Sequence, residues 1–435
     1  MTPVTGPGDC DVIVIGAGVA GLHAARRLER GGLSVVVIDG ADQVGGRIRT
    51  DLVDGFRCDR GFQLLNPAYP MARTALDLPA LGLQPFGSGV LVRRDPSTAG
   101  LVLLADPRRS PTRALGTLRS GLVDPRQAAA LARWLGPVLA RPGTAKHPEQ
   151  DVTLRESLDA AGLTGDLRTR VLDTFLAGVL AEAEGATSAH VVRLLMRSFA
   201  LGRPGVPREG MAAIPAQLAA GLRAPVRLDT PAEAVEHPDL GALVRTPSGS
   251  LRARAVVVAV STEDSHRFTV LPATPTKGLV TWWFDVPAAG LAGHTLTGSG
   301  PYLAIDGRAP GGGPSGPVWN TAAMSVAAPS YAPSGRILVQ ATTLLTRPDG
   351  RASEADVLRH VGEIYGVSTT GWRTVQRHEI THALPVHAPG QPLRQTQRVG
   401  ERTWVAGDHR DTPSIQGALV SGERAAADVL AALAG

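Results

Sequence analysis

Along the first forty residues, apolar runs alternate with glycine-rich breaks. Val12 to Ile15 is a short, mostly β-branched apolar run, which predicts a strand buried on both faces. Leu22, Ala24, Ala25 and Leu28 then recur at helical spacing, and Gly31-Gly32 ends that helix. Val35 to Ile38 predicts a second buried strand, closed by Asp39. Further on, Gly89–Val92 and Gly100–Leu104 read as a hairpin. Apolar residues at i, i+3 and i+4 predict helices over Arg126–Ala140, Leu154–Ala161, Asp166–Leu180 and Ser188–Leu201. Thr153 and Glu156 have capping-box spacing. Strand-like runs return at Pro225–Ala232, Leu251–Val260, Gly278–Phe284, Tyr302–Ile305, Trp319–Ser325, Arg336–Thr342 and Trp404–Gly407, with helices at Ser353–Tyr365 and Gly417–Ala432. Residues 1–10 read as a disordered lead-in, and Gly307–Gly316 as a mobile Gly/Pro loop. The whole predicts an α/β fold.

The first break carries chemistry. Gly16, Gly18 and Gly21 stand as G-x-G-x-x-G between a strand and a helix, the context in which this spacing binds a dinucleotide. Gly16 permits a tight turn, Gly18 lets backbone approach a pyrophosphate, and Gly21 lets helix and strand pack closely. The helix N-terminus offers unpaired N–H groups and a positive dipole end to the phosphates. Asp39 is placed to accept both hydroxyls of an adenosine ribose, which disfavours a 2′-phosphate and leaves FAD or NAD. Gly45-Gly46-Arg47 follows almost at once; its glycines fold over the pyrophosphate and Arg47 offers a planar fork of donors.

With Asp59-Arg60-Gly61-Phe62-Gln63 added, the chain resembles the flavin-containing amine oxidases, protoporphyrinogen oxidases and phytoene-type desaturases. That resemblance implies FAD and a Rossmann-like FAD-binding domain, discontinuous in sequence, with an inserted α+β substrate-binding domain. The expected FAD segments are 1–75, 205–264 and 398–435; the substrate segments are 76–204 and 265–397. It places Gly61, Phe62 and Gln63 beside the flavin and gives Ala232 the cradling of adenine. The late stretch from Gly407 and Asp408 to Ser414-Ile415-Gln416-Gly417-Ala418 resembles the superfamily's second flavin motif. There Asp408 accepts from the ribityl side, and the N–H groups of Ile415 and Gln416 face the flavin N1/O2 edge, where a positive dipole end stabilises the reduced anion. No cysteine in that region can bond to the flavin, so the FAD is expected to be non-covalent.

Relatives of this kind take a hydride from a substrate C–H onto flavin N5. Amine oxidases hold the amine between two aromatic rings, whereas this chain has Ser414 and Ala383 at the matching positions. Its Ser-Ile-x-Gly-Ala form is closer to the desaturase and porphyrinogen-oxidase branches. Two residues are the tentative catalytic candidates. Lys277, just before Gly278–Phe284, falls near the lysine that holds a water against flavin N5, with a surface lysine as the alternative. His382 is the polar group expected near the flavin. For substrate, Ser414 and the adjacent Trp282 and Trp283 are singled out; the indoles point to opposite sides of a strand, so one lines the cavity and the other packs in the core. The expected function is FAD-dependent oxidation or desaturation of an organic molecule, with O2 or another acceptor. An amine or amino-acid oxidase, a non-redox flavin isomerase and a non-catalytic carrier are the alternatives.

Composition narrows the rest. At 435 residues the chain has room for two domains. A net charge of +5, scattered along the chain, suits solubility rather than nucleic-acid binding. Cys10 and Cys58 suggest neither a disulfide framework nor a metal site. No signal peptide or membrane-length apolar run is present, so a cytoplasmic enzyme is expected. The Ala-rich helix around Trp134 reads as a core helix rather than a membrane-surface one, its polar face being weakly basic. The oligomeric state is not encoded in any of these patterns.

Overall fold

The strands Cys10–Ile15 and Val35–Ile38 run parallel, joined by the helix Val19–Arg30. This is seen in a computed structural model that describes residues 10–94, 100–141, 150–238, 241–288, 295–298, 300–309 and 312–434. The lead-in at 1–9 and the middle of the Gly/Pro loop, 310–311, lie outside the described residues. Strand Gly249–Val258 lies on the other side of Cys10–Ile15, parallel to it. Its second half also takes Thr403–Val405 as a parallel neighbour, while its first half pairs antiparallel with Ala242–Thr246. Ala234–Glu236 completes six strands.

The burial explains the apolar runs. Val12 and Val14 enter one core, and Ile13 and Ile15 enter another on the opposite face. On the first face lie the helices Val19–Arg30 and Ile415–Ala434, packed at very short range. A Cβ at Gly422 would stand 2.3 Å from the Ala20 carbonyl oxygen, so only glycine lets these backbones approach.

A second sheet has seven strands in the order Arg373–Pro385, Thr276–Pro287, Arg336–Leu344, Asn320–Ala323, Leu303–Asp306, Gly89–Arg93, Val102–Ala105. Only Leu303–Asp306 and Gly89–Arg93 are parallel. The helices Pro125–Ala140, Leu154–Ala160, Asp173–Leu180 and Ala189–Leu201 form a cluster around Trp134. That indole is buried and donates to Ser157 Oγ at 2.9 Å, as a core helix requires. The capping box forms at Thr153 and Glu156. Two expectations differ. The helix expected over Asp166–Leu180 is wound as a π-turn at Leu167–Leu172 before becoming α-helical. Pro225–Ala232 is not a strand: Arg227 makes a single bridge to Ile38. Among the described residues no helix is long and apolar enough to cross a membrane.

Candidate active site

The glycine turn divides its labour as its spacing predicts. Gly16 has φ +107°, and a Cβ there would meet the Ala259 carbonyl oxygen at 2.6 Å. A Cβ at Gly21 would meet the Gly16 oxygen at 2.0 Å. Gly18 is the opposite case: no atom lies within 4 Å of its Cβ position, which opens onto the cavity that Gly18 lines. Asp39 accepts the Ala17 N–H at 2.7 Å on one oxygen and the Ala41 N–H at 2.9 Å on the other. Each oxygen keeps lone pairs for a further donor. Gly45, at φ +122°, donates its N–H to the Ala17 carbonyl at 2.9 Å, so the second glycine pair is laid against the first turn. Gly46 and Ala232 line the same cavity.

That cavity is about 1360 Å³. It exceeds the roughly 300–1,000 Å³ of a site for one drug-sized ligand. Its far walls come from the helices Asp173–Leu180 and Ala189–Leu201 and from the second sheet: Leu194, Phe199, Leu279 and Ile380 are examples.

Between the two ends lie the remaining motif residues. Arg47 donates to Asp408 at 2.5 Å and to the Ala383 carbonyl at 2.8 Å, so the early and late motifs are joined to each other. Burial opposes the Arg47 charge, but the neighbouring Asp408 carboxylate overrides it and raises the pKa. Beside this pair burial pushes His409 down to about 4, so the ring is neutral at neutral pH. Gly61, at φ +93°, and Phe62 line the cavity, the latter packed edge-on against Phe86. The Gln63 amide donates to the Arg47 carbonyl at 2.9 Å. Arg60 is taken up by Asp51. Asp59 anchors this turn from behind, accepting from Thr50, Met211 N–H and Tyr331; burial raises it to about 6. Gly407 lines the cavity, and its N–H donates to Ser421 at 2.9 Å. Ser414 caps the helix Ile415–Ala434, its Oγ accepting the Gly417 N–H at 3.0 Å. Ile415 and Gln416 start that helix at the cavity wall, upstream of any intrahelical acceptor.

The catalytic and substrate candidates fall out differently. Lys277 is buried and lines the cavity, which removes the surface-lysine alternative. Its ammonium donates to Thr187 Oγ1 at 2.6 Å and lies 3.7 Å from Glu182, and Thr187 in turn donates to Glu182 at 2.8 Å. Burial lowers the Lys277 pKa, with Glu182 opposing. His382 is exposed, off the cavity, and bonded to Thr276 at 2.6 Å, so its expected place near the flavin is corrected. The Trp282 and Trp283 expectation is corrected too, since neither indole lines the cavity. The strand is covered on both sides: Trp282 stacks on Phe284 at 6.3 Å beneath Arg377, and Trp283 is wholly buried in the first core. Glu182, Thr187, Asn320 and Arg197 were not singled out in the sequence, and no spacing marks them: Arg197 shares its helical face with Arg193, four residues earlier.

A parallel-centred sheet with a glycine turn, the Asp39 carboxylate and a second helix N-terminus on the same cavity defines a dinucleotide-binding protein. The open position at Gly18 and the free helix start at Ile415 are spaces that a flavin dinucleotide fits. The profile of the flavin-containing amine oxidoreductase family matches residues 19–430, and the chain belongs to that family. Its cofactor is FAD. Among known relatives, a putative flavin-containing monoamine oxidase, AofH of Mycobacterium tuberculosis, is 28% identical over 278 residues, 61% of this chain and 59% of that protein. The match thus spans about three-fifths of that relative's length. Similar folds occur in a putative protoporphyrinogen oxidase from Exiguobacterium sp. 255-15 (18% identity, TM-score 0.69, 98% of this chain and 99% of that one). Cyclohexylamine oxidase from Brevibacterium oxydans is alike (18% identity, TM-score 0.70, 98% and 100%).

Proposed function

We propose that the protein is an FAD-dependent oxidoreductase that oxidises or desaturates an organic substrate bound at the apolar end of the cavity. The observation that carries this is the continuity of one cavity from the glycine turn at Gly18 to the aliphatic walls at Leu194 and Leu279. FAD, when bound, supplies the hydride acceptor, with O2 or another oxidant regenerating it. Gly16, Gly18, Gly21, Gly45, Gly46 and Asp39 hold the dinucleotide half, with Ala232 beside the adenine. Gly61, Phe62, Gln63, Gly407, Asp408 and the N–H groups of Ile415 and Gln416 surround the flavin half, with Arg47 orienting Asp408. No cysteine lines the cavity, which supports non-covalent binding. In this reading residues 1–75, 205–264 and 398–435 form the cofactor domain and 76–204 and 265–397 the substrate domain; the six-stranded sheet draws only on the former segments. The enzyme works in the cytoplasm.

Lys277 is the buried proton-bearing group of the cavity wall, and the Thr187–Glu182 relay holds its ammonium in place. An amine substrate is the second reading, favoured by the amine-oxidase name of the family and of the Mycobacterium relative. Against it, Ser414 is committed to capping a helix rather than presenting a ring. Anaerobic bleaching of the flavin by a panel of amines, amino acids, porphyrinogens and polyenes tests both. Bleaching by a non-amine supports the first reading, bleaching by amines alone selects the second, and no bleaching at all sinks both. A Lys277→Met variant that reoxidised as fast as the parent would remove the lysine from the mechanism.

A further inference from the structure

Among the described residues six basic side chains line the cavity, and five of them are matched by a carboxylate, among them Arg47 by Asp408 and Lys277 by Glu182. Arg197 is the exception. Among the described residues it makes no ion pair, and its Nε is buried with no hydrogen-bond partner. An unpaired guanidinium beside apolar walls is costly unless something else meets it.

The carboxylates are distributed the other way. Among the described residues Asp39, Asp264, Asp408 and Asp411 are the acids that line the cavity. All four belong to the nucleotide turn, the segment after Ala259 or the late motif. The walls contributed by Ala189–Leu201 and the second sheet carry none. A second orphan lies against the C-terminal end of Arg197's helix. Asn66 is 1% exposed and lines the cavity; its Oδ1 accepts the Ala68 N–H at 2.9 Å, which fixes the amide and leaves Nδ2 without a partner. Asn66 packs on Gly202, the residue that ends Arg197's helix, where a Cβ would stand 1.9 Å from Asn66 Oδ1. Both orphans are N–H donors, on residues that line the same cavity as Leu194 and Phe199.

We propose that the substrate is an apolar molecule bearing a carboxylate, which Arg197 receives as the anchoring cation. This rests on the reading of the apolar end as the substrate site. The planar fork of a guanidinium matches a carboxylate bidentately, whereas a distal ammonium would meet Arg197 as a like charge. The arrangement therefore selects against diamines and in favour of acids with a hydrocarbon body.

Calorimetric titration of the FAD-loaded protein with octanoate, octanamide and octylamine tests it without turnover. Octanoate is expected to bind the parent at least about tenfold more tightly than octylamine. Arg197→Gln is expected to weaken octanoate by about 10- to 100-fold and octanamide by less than about twofold, with Arg197→Lys between. Octylamine binding as tightly as octanoate, octanoate indifferent to Arg197→Gln, or no probe binding the parent would each overturn the proposal. If Arg197→Gln does not fold, shown by lost flavin absorbance, the comparison of probes on the parent decides. A protein that binds octanoate through Arg197 but whose flavin no substrate bleaches would contradict the proposed oxidation and leave the carboxylate site standing. The reverse result would do the opposite.

Discussion

The three glycines of the first turn are not interchangeable, and the difference is measurable. Gly16 combines φ +107° with a backbone oxygen 2.6 Å from any added Cβ, so Gly16→Ala strains the chain whether or not cofactor is present. We expect it to cost about 2 kcal/mol or more and to lower the melting temperature of the flavin-free protein. Gly18 has φ −72° and open space, so Gly18→Ala leaves that melting temperature nearly unchanged while filling the phosphate approach. A fluorescence titration with FAD should then show affinity at least about tenfold weaker, and equal FAD affinity in the two proteins would refute the assignment. Such glycines are legible in sequence because no other residue tolerates their backbone or their neighbours. Lys277 was only half legible. Its place just before Gly278–Phe284 marked it, but the strand is covered on both faces, so no alternation pattern announces its burial.

Among the elements, the helix Ile415–Ala434 shows why a residue type departs from its relatives' pattern. Ser414 does a cap's work there, holding the Gly417 N–H at 3.0 Å. Ser414→Ala should lower stability by about 1 kcal/mol, and Ser414→Asp should recover most of it, read from denaturant midpoints of the flavin-free protein. An unchanged midpoint in Ser414→Ala would show that the cap carries nothing. Element type was readable wherever one face is buried and the other wet, as in Glu354–Tyr365. It was less readable where both faces are covered. The strand Thr276–Pro287 is buried almost throughout, so alternation could say that Trp282 and Trp283 point apart but not that two cores, and no cavity, receive them. At Pro225–Ala232 a short run with Val226 and Leu228 makes only a single bridge, from Arg227 to Ile38. The two wall helices of the cavity were foreseen as helices, but which of their residues face ligand follows from packing that lies far apart in sequence.

For the molecule as a whole, the Arg47–Asp408 pair ties together two motifs that were each legible, through a contact that was not. Asp408 is only 7% exposed, so losing Arg47 strands a buried carboxylate. Arg47→Ala and Asp408→Ala should each lower the melting temperature, and the double variant should cost less than their sum by about 0.5–3 kcal/mol. Additive losses would mean that the two motifs do not lean on each other. The helix pair on the first sheet carries a related consequence for biosynthesis. Val19–Arg30 leaves the ribosome early, while its partner Ile415–Ala434 is translated roughly 20–80 s later at about 5–20 residues per second. Throughout that interval the nascent chain displays Leu22 and Leu28 without the Leu419 and Val429 that complete their core. The early helix is therefore the stretch for which a ribosome-associated chaperone has the longest work.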